Sequence, residues 1–132
     1  MHDDREIVER RLGQVRRRYI RPFVHGDTVQ LTMAAWTVPD EADGTMGEPV
    51  PVEVALAADY TPVSVGYGWA RPWGTTWFRV DGEVPADWAG RSVEAEINLG
   101  FMGEDTGFQA EAMLWAEQSD GSWGPWRGLH PM

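Results

Sequence analysis

Over residues 4–21 the apolar side chains Val8, Leu12, Val15 and Tyr19 recur at spacings of four, three and four. That repeat aligns them on one face of an α-helix, so the chain is expected to open with an amphipathic helix. Its flanks agree. Asp3 and Asp4 stand where free amide groups need acceptors, acids cluster early, and Arg16, Arg17 and Arg18 fall where the helix dipole favours cations. Pro22 lacks an amide hydrogen and is expected to stop the helix.

Beyond it the period drops from near 3.6 to 2. Val29, Leu31, Met33 and Ala35 alternate with Thr28, Gln30, Thr32 and Ala34, which predicts a half-buried strand. Residues 37–51 hold Pro39, Gly44, Gly47, Pro49 and Pro51 among several acids and read as an exposed connection. Residues 52–58 carry helix-favouring Glu53, Ala55, Leu56, Ala57 and Ala58, enough for one or two turns. Residues 75–80 are rich in strand formers, and Pro85, Ala86, Asp87 and Trp88 suit a turn.

Val93, Ala95, Ile97 and Leu99 then alternate strictly with Ser92, Glu94, Glu96 and Asn98, the cleanest one-face-buried pattern in the chain. Phe108, Ala110, Ala112 and Leu114 repeat it, and Ser119, Asp120, Gly121 and Ser122 form an expected hairpin turn toward a strand over 126–130. Several short strands separated by turns predict a mainly β fold: an antiparallel, jelly-roll-like β-sandwich with one N-terminal amphipathic α-helix. The expected division is a helix over 1–22 and a sandwich over 23–132 within a single domain.

Composition sharpens this. A chain of 132 residues, 42% hydrophobic, has room for one core. With no cysteine, disulfides, thiolate metal sites and a thiol nucleophile are excluded. The net charge of -10 is uneven: residues 1–21 hold seven arginines against four acids, +3, and the remainder carries -13. An acidic β-rich body repels phosphate backbones, so nucleic acid is not an expected partner. No segment has the apolar length of a membrane span, and a cytoplasmic location is expected.

The stretch Trp69-Ala70-Arg71-Pro72-Trp73-Gly74-Thr75-Thr76-Trp77-Phe78-Arg79-Val80 places three tryptophans within nine residues. It resembles the Trp- and Gly-rich segment near the start of cytosolic-type glycoside hydrolase family 38 α-mannosidases. Gly82-Glu83-Val84-Pro85-Ala86-Asp87-Trp88-Ala89-Gly90-Arg91 is similar to that family's continuation, as is Phe108-Gln109-Ala110-Glu111-Ala112-Met113 leading to Gly128-Leu129-His130-Pro131. A weaker similarity joins the same residues to the sugar-binding jelly rolls of family 2 glycosidases.

The resemblance implies an N-terminal domain that precedes a catalytic domain, where zinc held by His and Asp contacts the sugar and an Asp attacks the anomeric carbon. Here only His2-Asp3-Asp4 and His25-Gly26-Asp27 echo the zinc motif, without its second His. The chain is therefore expected to be cut off before the catalytic domain. Zinc would belong to that absent domain, and this chain would hold no cofactor and no catalytic residue. Its expected partner is the α-mannosidase catalytic domain.

Glu94 and Glu96 invite comparison with a glycosidase carboxyl pair, but alternating acids are what any solvated sheet face carries, and that reading is preferred. His2, His25 and His130 lie far apart in sequence and give no metal set. The eight tryptophans are a better lead, because indole stacks on the apolar faces of sugars. Trp77 and Trp88 are assigned to packing, while Trp73, Trp123 and Trp126 are the candidates for binding carbohydrate or a neighbouring domain. Three functional readings stand: a non-catalytic accessory domain of an α-mannosidase, a free-standing carbohydrate-binding module that takes glycan, and an inactive truncated reading frame.

Overall fold

The computed structural model describes residues 4–47, 49–69, 72–100 and 110–129. The chain forms two compact units, Met1–Gln30 and Leu31–Met132.

In the first unit, helix α1 (Arg5–Val15) passes into a π-helical segment, Arg16–Ile20, and then a 3-10 turn, Arg21–Phe23. Pro22 does not end the helical run as expected. It occupies the first turn of the 3-10 segment, where a missing N–H goes unnoticed, and the wider π turn ahead of it absorbs the change of ladder. Asp4 stands at the N-cap but makes no side-chain capping bond, and only its backbone carbonyl engages, accepting from Val8 N at 3.0 Å. Asp3 lies outside the described residues. No residue of α1 is buried.

The second unit is mainly antiparallel β. Strand β1 (Thr32–Thr37) is central, with β2 (Thr61–Val63) on one side and β3 (Thr76–Asp81) on the other. Strands β4 (Ala112–Glu117) and β5 (Trp123–Leu129) form a separate two-stranded ladder. The pairing of β1 with β3 is fastened at both ends. Thr32 Oγ1 donates to the Asp81 carbonyl at 3.2 Å, and the Thr37 and Thr76 hydroxyls meet at 3.2 Å. The predicted strand over 28–35 therefore exists but begins four residues later and runs to Thr37.

Helix α2 (Val52–Leu56) forms where the short helix was expected. It supplies Val52 and Ala55 to a small core completed by Ala35 and Val38. The acidic connection before it is folded on itself: Glu41 N bonds Thr45 O at 2.8 Å and Gly44 N bonds Glu41 O at 2.9 Å. Gly47 is buried there, and a Cβ on it would run into the Pro39 carbonyl oxygen and Val38 Cγ1.

The segment expected to be the clearest strand is the main departure. Residues 91–100 carry no strand pairing, and only Leu99 of Val93, Ala95, Ile97 and Leu99 is even partly covered. Alternation shows that a segment can present two unlike faces; a strand also needs a partner's amide and carbonyl groups in register, and none lies alongside among the described residues. Phe108 and its predicted pairing lie outside those residues.

The β4–β5 turn closes through Gln118 N to Ser122 O at 2.7 Å, with Gly121 at φ 81°. Asp120 Oδ1 accepts from the Ser122 hydroxyl at 2.6 Å and its amide at 2.9 Å. Asp43 does the same for Thr45, at 2.7 and 2.9 Å. In each case the bond from the side-chain hydroxyl, then that from the backbone amide, holds the carboxyl below the ordinary 3.8. A lowered folded-state pKa means stability that is full above 3.8 and is lost as pH falls through the lowered values. Asp120→Asn and Asp43→Asn should each flatten the acid limb of a stability-versus-pH profile from urea denaturation. An unchanged limb would show that these turns do not respond to protonation.

Candidate functional site

The aromatic residues are arranged around β3. Its consecutive Trp77 and Phe78 point to opposite faces of the sheet. On one face Phe78 stands opposite Ala35 and meets Trp69 edge to face, with ring centroids 5.4 Å apart. On the other, Trp77 stands opposite Trp36 and meets Trp115 of β4 at 6.0 Å and 44°. The Trp77–Trp115 contact joins the two sheets, which sequence reasoning did not foresee beyond assigning Trp77 to packing. The Trp77 indole N–H is buried and has no hydrogen-bond partner among the described residues.

Arg79, two residues on from Trp77, ties the sheet to α2. Its Nη2 donates to the Leu56 carbonyl at 3.0 Å, satisfying a free helix-end acceptor, and its guanidinium lies 4.6 Å from the Tyr60 ring centroid. Partial burial pushes the Tyr60 phenol above 10.0, and the nearby Arg79 charge offsets part of that rise. Arg79→Met should therefore raise the Tyr60 pKa further, read as a later onset of phenolate ultraviolet absorbance during alkaline titration. An earlier onset would refute the electrostatic part of this contact. Arg79 was not singled out from sequence, and it stands in a strand that also carries Thr76 and Asp81.

The three candidate tryptophans are all exposed. Trp73 is 89% exposed and has φ 66°, a left-handed backbone that bulky residues rarely adopt. Trp126 is 70% exposed and is the extra residue of a β-bulge, since Leu114 pairs with Arg127 and Trp115 with Pro125. Bulges redirect side chains out of the regular alternation. Trp123 is 40% exposed, at the start of β5 opposite Glu117. Trp123 and Trp126 thus share a strand, while Trp73 lies on the turn leading into β3. The two most exposed indoles sit on a left-handed backbone position and on the β4–β5 bulge, a coincidence that sequence alone does not disclose. Trp88, assigned to packing, is half-buried in the 3-10 turn Ala86–Trp88.

Glu94 and Glu96 are both exposed in the unpaired segment, as is His25. His2 and His130 lie outside the described residues. Among the described residues no three His, Cys, Asp or Glu side chains converge as metal ligands would. Among them no helix is long and apolar enough to cross a membrane.

A mainly antiparallel β unit that packs through paired tryptophans and turns others outward belongs to the class of small all-β domains with aromatic surfaces. Residues 29–132 match the Ams1-like family model described as "Alpha-mannosidase, jelly roll domain", and the chain belongs to that family. Mouse (Mus musculus) alpha-mannosidase 2C1 is similar at 30% identity over 74 residues, which make up 56% of this chain and 6% of that protein. The chain thus spans only a small part of the length of that curated relative. No solved structure matches. The jelly-roll reading of the fold and its α-mannosidase connection are therefore established.

Proposed function

We propose that the chain is a non-catalytic accessory domain of a family 38 α-mannosidase, seated on a catalytic domain that hydrolyses terminal α-mannosides in the cytoplasm. The observation that carries this reading is the jelly-roll match over residues 29–132. The side chains add to it. A retaining glycosidase needs two carboxyl groups about 5 Å apart in an environment that separates their pKa values. Glu94 and Glu96 are both exposed, in a segment without strand pairing. Zinc, in this reading, is held by the catalytic domain. Trp126 and Trp73 serve as contacts for that domain, because large exposed indoles gain most when a partner covers them.

A second reading is favoured by one observation, the almost complete exposure of Trp73. A left-handed backbone that holds an indole outward makes a platform for a sugar ring, as a free-standing carbohydrate-binding module requires. Two measurements on the purified chain separate the readings. An α-mannosidase assay with added zinc should show no turnover, and turnover would overturn both. Titration with mannose oligosaccharides should give no binding heat; heat that disappears in Trp73→Ala would replace the first reading with the second.

A further inference from the structure

The connection between β2 and β3 differs in kind from the rest of the acidic β unit. Residues 61–75 contain no Asp or Glu and one charged residue, Arg71, in a chain of which 24% is charged. Three large side chains of this run are exposed on the β unit: Val65 at 76%, Tyr67 at 44% and Trp73 at 89%. Val65 sits in a turn closed by Tyr67 N on the Ser64 carbonyl at 3.0 Å, with Gly66 at φ 89°. Trp69, from the same run, turns instead against Phe78.

Trp73 carries a second mark, one that does not depend on what lies over it. Its φ of 66° is the left-handed value found at a non-glycine position among the described residues. A side chain there crowds its own backbone, which is why glycine or asparagine is the usual occupant. A bulky indole kept at such a position weakens the domain's own fold. Strain of this kind gathers at binding surfaces, where the surrounding contacts offset it.

The missing charges indicate the partner. A sugar platform sets its ring beside side chains that bond hydroxyl groups, and residues 61–75 hold no Asp, Glu, Asn or Gln. Tyr and Trp without charged neighbours are what the dry centre of a protein–protein interface carries. In mouse alpha-mannosidase 2C1 the 74 matched residues are 6% of the protein, so there the matched segment has a far larger body to pack against.

We propose that the β2–β3 connection is the surface by which this domain docks on an α-mannosidase catalytic domain, with Trp73 as the anchor, held ready in a backbone that disfavours it. This anchor rests on the accessory-domain reading above, and it makes docking and stability pull in opposite directions at one residue.

Two measurements on the full chain test it. In urea denaturation Trp73→Gly should hold or raise the midpoint and should exceed Trp73→Ala, which keeps the strained Cβ. In sedimentation with an α-mannosidase catalytic region that lacks its own jelly-roll domain, Trp73→Gly should weaken the complex about tenfold or more, and Val65→Ser should weaken it less. A Trp73→Gly chain with a clearly lower midpoint would show that the indole is covered within the chain, by the helical unit or another segment, and would overturn the proposal. A wild-type complex that weakens with Trp126→Ala but ignores Trp73→Gly would overturn it and leave the accessory-domain reading standing. No complex at all would overturn both. Binding of mannose oligosaccharides that Trp73→Gly abolishes would make the connection a sugar platform, and would equally overturn it.

Discussion

Trp77→Ala is expected to destabilise the β unit by about 3 kcal/mol, read as a lower urea midpoint at unchanged slope. Trp77 is the side chain through which β3 touches β4, so its removal takes away the Trp115 ring contact together with the cover over Trp36. Trp77→Phe separates packing from polarity. It keeps a ring against Trp115 and removes an N–H that is buried with no partner among the described residues, so its effect should be much smaller than that of alanine. A double-mutant cycle between Trp77 and Trp115 should return a coupling of about 1 kcal/mol. If alanine and phenylalanine are equally disruptive, or the coupling is zero, the two sheets are held together by something other than this pair.

Ala55→Asp should be more damaging, with a loss on the order of 4 kcal/mol or more that leaves little folded protein at ambient temperature. Ala55 is 1% exposed, and with Val52 it fixes α2 to a core that, among the described residues, otherwise holds only Ala35 and Val38. A core built from such small side chains has no slack for a carboxylate, which would be buried charged or forced to take up a proton. Ala55→Gly makes the informative comparison. It removes one methyl and lowers helix propensity, which together amount to about 1 kcal/mol, and it adds no polar group. Near-equal midpoints for the aspartate and glycine variants would mean that α2 is not seated where described.

How much of this was legible in the sequence follows from what each signal measures. The helical spacing of Val8, Leu12, Val15 and Tyr19 reports a local periodicity, and α1 forms there. The short helix-forming run at Val52–Leu56 and the Ser119–Ser122 turn are also local, and both appear. Val93, Ala95, Ile97 and Leu99 show the opposite case. Their alternation is just as regular, yet strand formation depends on a distant partner that no local pattern encodes.

The candidate surface divides in the same way. Proximity to a turn suggested that Trp123 and Trp126 are freer than Trp77 and Trp88, and the first two are exposed while the others are half-buried. The left-handed backbone at Trp73 and the bulge at Trp126 were not legible, because both arise from how neighbouring strands enter and register. The resemblance read from the sequence started from the tryptophan-rich run before and within β3. Packing explains why that run is so distinctive: Trp69 and Trp77 cover opposite faces of one strand, while Trp73 between them remains outside.

The central claim is that this domain serves an α-mannosidase by being seated on its catalytic region. Sedimentation of the full chain with an α-mannosidase catalytic region that lacks its own jelly-roll domain tests it most directly. A complex should form with the wild-type chain and be weakened about tenfold or more by Trp126→Ala. No complex with the wild type, or one that Trp126→Ala and Trp73→Ala leave unchanged, would contradict it.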